Sequence, residues 1–271
     1  MDTSAHLFHY TGAGALLSIV TRRQLWATYS DALNDRFEGA LPRLELKNVC
    51  LNPGSHLPSI RDPNPRHLAV LNESLLMNEG LSVTSFSTHW SSLPMHRMYA
   101  PPAGGFVIGL PRQYLLDSFD LIEVDYTTRG LCDWAQNYAG RFLEATARLD
   151  DGESDIRTLR NKVMTSHNFL RQRAVAGVQF KSSEFVNESE VRIIKSGGAT
   201  HHRESREGNY LIPYQILELK NDPIEVIISF GPNKDLQLAK ASFIHFVQAA
   251  QNAGTKWAFH HHFKGDYGFR A

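Results

Sequence analysis

Apolar residues recur along this chain in two rhythms, and the switches between them mark its elements. Leu7 to Tyr10 is a short strand run that ends at Thr11-Gly12, and Ala13, Leu16, Leu17 and Val20 follow at helical spacing. Leu25-Trp26-Ala27-Thr28 reads as a second strand, and the alternation of Leu81, Val83 and Ser85 with Ser82, Thr84 and Phe86 predicts a third. Ser91-Ser92 and Pro94 precede Met95, Met98 and Tyr99, which predicts a helix with a serine cap and a proline in its first turn. Gly105 to Leu110 and Leu121 to Tyr126 predict two further strands. Trp134, Tyr138, Phe142, Ala145 and Leu149 lie on one face of a long amphipathic helix that Asp150-Asp151-Gly152-Glu153 breaks. Leu159, Val163, Phe169 and Leu170 predict the helix after it.

The last third is read as four strands, Val178 to Lys181, Glu188 to Lys195, Tyr210 to Leu219 and Ile224 to Phe230, followed by a helix from Leu236 to Ala250. Pro213 either argues against the third of these strands or places it at a sheet edge. Ser30 to Glu38 is polar and turn-like. Residues 41–67 carry Asn52-Pro53-Gly54 and Asp62-Pro63-Asn64-Pro65 and read as a long loop or insertion, with a short helix over Asn72 to Glu79. Short strands mixed with helices that do not alternate regularly predict an α+β fold rather than a parallel α/β one. No internal repeat is visible.

The 271 residues fit a single domain with a loop-rich insertion around 41–70 and a helical one around 130–175. Lys plus Arg and Asp plus Glu are both 28, so no global basic field points to nucleic acid. A local set, Arg157, Arg160, Lys162, Arg171 and Arg173, is either a phosphate-facing patch or a solvated helix face. Two cysteines, Cys50 and Cys132, make no disulfide framework, and a reducing, cytoplasmic location is expected. The first nine residues lack the charged and apolar regions of a signal peptide, and no run is long and apolar enough to predict a membrane span.

Three short motifs carry candidate chemistry. Along a strand Glu188, Glu190 and Arg192 share one face, with the two carboxylates roughly 7 Å apart. Mutual repulsion raises such a carboxyl pKa and Arg192 opposes the rise, so one carboxylate can steer a sugar hydroxyl while the other handles a nucleophile. The same pattern also fits a plain charged strand face. His9, between Phe8 and Tyr10 and just before Thr11, can hydrogen-bond a ribose hydroxyl, or can be a satisfied core histidine. Ser85 and Ser87 share a strand face, and Tyr99 on the next helix can cover a flat, cationic heteroaromatic ring, or be an ordinary core contact. Adjacent histidines at 201–202 and 260–262 point to opposite faces of a strand and chelate poorly, and HExxH and CxxC spacings are absent, so no metal is expected. Neither GxGxxG nor a P-loop motif occurs, which argues against those nucleotide sites.

The ordered pattern HYT-x-A-x-A-L-x-S-I, LWAT, LND-x-x-E, SFS, M-x-x-x-Y-A, GFVIGL, F-x-x-E-x-E-x-R and a late GP, running from His9 to Pro232, resembles the DUF2971 family of bacterial proteins. That family in turn resembles the ADP-ribosyltransferase superfamily, on the branch with an H-G-[ST] strand, a nicotinamide-stacking tyrosine and a catalytic glutamate. The resemblance implies a split, mainly antiparallel β-sheet core with flanking helices. It implies a glycosyltransferase that cleaves the nicotinamide–ribose bond of NAD and moves ADP-ribose to a protein or nucleic acid. NAD would be substrate and no metal would be needed; a toxin or anti-phage role fits the superfamily. Carried over by position, His9, Tyr10, Thr11, Ser85, Ser87 and Tyr99 would hold NAD, Glu190 would be the catalytic carboxylate, Glu188 would sit towards the acceptor, and Arg192 would orient the two glutamates. Tyr10 stands where that branch has glycine, and His96 where the DUF2971 pattern often has tryptophan. The alternatives are a binding or partner module of the same fold without NAD chemistry, and a nucleic-acid-binding protein.

Overall fold

Alternation of apolar residues with small or polar ones builds the strands, and the strands build one ten-stranded sheet. The computed structural model describes residues 5–33, 39–57, 63–77, 79–99, 105–166, 168–205, 209–231 and 236–262. Strand β1 (His6–Thr11) runs into helix α1 (Ala13–Leu17), which widens into a π-helical turn over Ser18–Arg22 and ends at Arg23 in the left-handed conformation. Strand β2 (Gln24–Tyr29) follows. Then come α2 (Ala40–Leu51), α3 (Pro53–His56), α4 (Pro65–Ser74), β3 (Leu81–Ser87), α5 (Leu93–Tyr99), β4 (Phe106–Pro111), α6 (Arg112–Leu116) and β5 (Asp120–Glu123). Three helices follow in succession, α7 (Thr128–Leu149), α8 (Ile156–Ser166) and α9 (Phe169–Gln179). The chain closes with β6 (Glu190–Ser196), β7 (His201–Glu204), β8 (Leu211–Glu218), β9 (Glu225–Phe230), α10 (Leu236–Asn252) and β10 (Ala258–His262).

The sheet order is β10-β9-β4-β1-β3-β2-β8-β7, and β6 lies along the other side of β3 with β5 beyond it. Every pairing is antiparallel except that of β10 with β9. The architecture is therefore α+β with a mostly antiparallel sheet and flanking helices. On one side β3 is paired with β6 along its full length, from Leu81↔Ser196 to Ser87↔Glu190. Its other side is shared: β1 touches it at Phe8↔Ser87, and β2 at Thr28↔Val83 and Tyr29↔Ser82. Between those contacts β1 diverges from β3, and the sheet is split.

One sheet face is covered by the first helices and α10, over a core that includes Leu7, Leu25, Phe86, Ile108, Val191 and Trp257. Helices α2, α4, α7, α8 and α9 build a second apolar core of their own, with Leu46, Val70, Tyr138, Phe142, Leu159 and Phe169. Both insertions expected from the sequence contribute to this second body.

Several expectations need correction. Residues 41–67 are not a long loop: of those described, most lie in α2, α3 and α4, while 58–62 fall outside the described residues. Pro53 and Pro65 stand at helix starts, where a missing N–H costs nothing and the fixed φ suits the first turn. Asn64 caps α4, its side-chain oxygen accepting from Arg66 N at 2.9 Å. The helix expected over 72–79 is the end of α4, which stops at Ser74. Val178 to Lys181 is not a strand: α9 continues through Gln179, and Phe180 makes only an isolated bridge to Asp125. The strand holding Pro213 is not an outer strand, since β7 lies beyond it. Its pairing with β2 nonetheless stops at Tyr214, so Pro213 faces β7 alone.

Candidate active site at the strand split

Alternation along β1, β3 and β6 places Phe8, Tyr10, Ser85, Ser87, Glu190 and Arg192 on one side of the sheet, because residues directly opposite each other share a face. Helix α5 crosses this side, started by Ser92, whose Oγ accepts from Met95 N at 3.4 Å. It brings Tyr99 over β6. At the split lies a cavity of about 60 Å³ lined by Phe8, His9, Tyr10, Ser85, Met95, Tyr99 and Glu190, together with Phe86. Five residues singled out from three distant stretches of sequence, His9, Tyr10, Ser85, Tyr99 and Glu190, thus meet at one place.

His9 spans the gap between the diverging strands. Its ring packs against Phe86 with centroids 5.6 Å apart, and its Nδ1 lies 2.9 Å from the Ser85 carbonyl. Nδ1 therefore carries the proton, which makes Nε2 the acceptor in the neutral ring. Burial lowers the His9 pKa below 6.5, the Ser85 carbonyl works against that, and the Arg203 charge adds to it. Tyr10 staples the loop after β3: its hydroxyl donates to His89 O at 2.8 Å and accepts from Ser92 N at 2.9 Å. The phenol thus holds the start of α5, a role that glycine cannot fill.

Behind the cavity lies a buried cluster of charges. Glu188, Glu190, Arg192 and Lys181 are all nearly inaccessible. Lys181 Nζ is 2.6 Å from Glu188 Oε2 and 3.4 Å from Glu190 Oε2. Arg192 donates to Glu190 Oε2 at 2.7 Å and to Val178 O at 2.7 Å. Tyr99 OH donates to Glu188 Oε1 at 3.0 Å, and Glu190 N donates to Tyr126 OH at 3.0 Å. Burial pushes the Glu190 pKa up, but Arg192 and Lys181 outweigh it, with the Ser85 hydroxyl contributing, and the net shift is downward. Burial raises the Tyr99 phenol well above its usual value and that of Tyr126 to about 12, so both are donors at neutral pH.

The sequence expectation that Glu188 shares a strand face with Glu190 is wrong. Glu188 ends a 3-10 turn over Ser183–Glu188, and β6 begins only at Glu190. Between them Ser189 takes φ 45°, a left-handed conformation that costs a side-chain-bearing residue about 1 kcal/mol or more. That turn returns the Glu188 carboxylate to Lys181 and Tyr99. Arg192 donates to Glu190, and Lys181 joins the two carboxylates. Neither Lys181 nor Tyr126 was found by sequence reasoning, since a lone lysine in Phe180-Lys181-Ser182 carries no motif. Two expected residues lie off the cavity. Thr11 is paired with Phe106, and Ser87 Oγ donates to Glu188 O at 2.6 Å while accepting from His89 N at 3.0 Å. Ser87 therefore fixes the Glu188 turn.

A larger open groove of about 550 Å³ lies elsewhere, beside Phe119, Asp120, Arg171, Ile194 and Lys195. Arg171 and Asp120 lie 3.9 Å apart there, and the groove holds none of the residues expected to bind NAD. The basic stretch 157–173 does not form one cationic surface. Arg173 is buried against the carbonyls of Ser74 and Met77, Lys162 pairs with Asp151 at 3.0 Å, and Arg160 lies 3.8 Å from Glu73. Among the described residues no three His, Cys, Asp or Glu side chains converge on a possible metal position, and no helix is long and apolar enough to cross a membrane. Comparison with protein-family models, with curated proteins and with solved structures gave no match.

Proposed function

We propose that this cavity is the nicotinamide end of an NAD site and that the protein is an ADP-ribosyltransferase of the histidine–tyrosine–glutamate type. The supporting observation is the convergence of His9, Tyr10, Ser85, Tyr99 and Glu190 on one cavity at a sheet split. In this reading Tyr99 stacks on the nicotinamide ring and His9 Nε2 accepts from a ribose hydroxyl. Glu190 supplies negative charge where the ribose becomes cation-like. The C–N bond breaks with its electron pair leaving on nicotinamide, and an acceptor nucleophile closes on the ribose carbon as it loses its proton. Ser85 and Arg192 hold the Glu190 carboxylate in place. Ligand pockets usually span roughly 300–1,000 Å³, so entry requires Tyr99 to leave Glu188 and α5 to move outward.

One observation favours a second reading, a partner-binding module of the same fold without NAD chemistry. Glu190 Oε2 is shared by Lys181 and Arg192, which damps the charge that it can offer a cation. Nicotinamide release from NAD by the purified chain separates the two. We expect release from the wild type and its loss in Glu190→Gln, with an unchanged circular dichroism spectrum. Undiminished release in a folded Glu190→Gln protein rules out the mechanism. Absence of NAD binding by titration calorimetry favours the partner module. Labelled NAD added to cell extract then reports which macromolecule takes the label.

A further inference from the structure

Strands β2, β8 and β7 carry a strip of rings that the site above does not use. Thr28 is opposite Tyr214, Tyr214 opposite His201, and Ile212 opposite Arg203, so Trp26, Thr28, Tyr214, His201 and Arg203 share a face. Thr28 is also opposite Val83, which places the strip on the same side of the sheet as Ser85 and Glu190. Trp26 and Tyr214 have centroids 5.4 Å apart, and so do Tyr214 and His201. The Arg203 guanidinium lies 5.9 Å over the Trp26 ring and donates to Thr28 Oγ1 at 3.2 Å. Arg203 Nε is shielded from solvent yet has no hydrogen-bond acceptor. Trp26 and Tyr214 are only half-buried and His201 is exposed, whereas β3 and β6 beside them are covered by α9.

We infer that this strip is a stacking site for the unpaired bases of a single-stranded nucleic acid. Flat rings interleaved with a guanidinium plane on an open sheet face suit bases, each of which presents a π-face whatever its identity. The strip crosses three strands, roughly 10 Å, which is room for two consecutive bases rather than one. It ends at β7, the last strand of the path, so nothing in the sheet order walls off its outer end. The strip begins on β2, the neighbour of β3, on the side of the sheet where Ser85 lines the cavity. Among the described residues the strip carries one fixed cation, Arg203, with Glu204 beside it. Binding therefore depends on stacking more than on phosphate contacts and falls only gently with salt, with a slope near one released counterion. A base bound here is a candidate ADP-ribose acceptor; that extension alone rests on the NAD reading.

The test is fluorescence anisotropy of the whole chain, without NAD, against a labelled single strand of about twelve nucleotides and the same sequence as duplex. We expect saturable binding of the single strand, duplex binding about ten-fold or more weaker, and losses of about five-fold or more in Tyr214→Ser and in His201→Ala. His201 is exposed, so His201→Ala keeps the test valid should Tyr214→Ser fail to fold. Absence of single-strand binding, preference for duplex, or unchanged affinity in folded variants of both residues overturns the inference. So does binding that NAD or adenosine monophosphate competes away at equal base concentration, because the strip would then take a mononucleotide. Single-strand binding without any nicotinamide release upholds the strip and removes the NAD reading.

Discussion

The two bodies of this molecule bury different things. The helical body, made by α2, α4, α7, α8 and α9, encloses leucine, valine, alanine and aromatic side chains. Its buried polar side chains reach backbone carbonyls, Thr146 Oγ1 donating to Phe142 O at 2.7 Å, Ser74 Oγ to Leu71 O at 2.6 Å and the Arg173 guanidinium to the carbonyls of Ser74 and Met77, and no buried carboxylate is among those described. The sheet body encloses an equally apolar core on one face, but on the other it hides two carboxylates, a lysine and an arginine within bonding distance of one another. Burial of such a cluster gives little stability, because desolvation offsets most of the attraction, and apolar side chains of similar volume often do as well. The helical body is thus explained by packing. The charged cluster calls for a functional explanation.

Breaking each body in turn sharpens that contrast. Arg192→Met should have the largest effect, since it strips Glu190 of its closest cation in a dry setting; we expect a loss of about 3–5 kcal/mol in denaturant melts. Leu159→Ala opens a cavity in the helical body and should cost about 2–4 kcal/mol while leaving nicotinamide release by the folded fraction unchanged. Equal damage to activity from both substitutions would mean that the bodies are not functionally separable.

Acid should act on the sheet body first. Burial lowers the His96 pKa from 6.5 to about 4, and His9 is lowered as well. Between those limits the unfolded chain takes up protons that the folded chain refuses, so stability is full above pH 6.5 and declines towards pH 4. Glu190, lowered from 4.5, adds a further loss as pH falls below that value. Thermal melts should show this decline, of about 1–2 kcal/mol from His96, and His96→Phe should flatten it. The smallest effect is expected from Asn64→Ala, which removes the cap of α4 and should cost about 1 kcal/mol without altering the pH profile.

Most strands and helices of the sheet body could be read from alternation and from the starts of helical runs, because each of those signals is local. The same is true of His9, Tyr99 and Glu190, which sit within recognisable short motifs. What failed was non-local or stereochemical. Pro53 and Pro65 suggest a loop unless one knows that helices begin on them. Glu188 reads as part of the β6 strand until Ser189 turns left-handed. Lys181 gains its meaning only when the end of α9 is set against β6, across a fold that the residues around it do not announce.

The clasp between β1 and β3 has a mechanical consequence. Between β1 and β3 the paired residues are Phe8 and Ser87, and the seam is closed further by His9 on the Ser85 carbonyl, by Tyr10 on the loop after β3 and by the apolar core that both leaves of the sheet share. Parting them at that seam severs no long ladder, but it opens the apolar core that Leu7, Phe86 and Val191 share. The cavity lies along that seam, so its width is set by how far β1 stands from β3, and the price of widening it is counted in exposed apolar surface rather than in broken strand pairing.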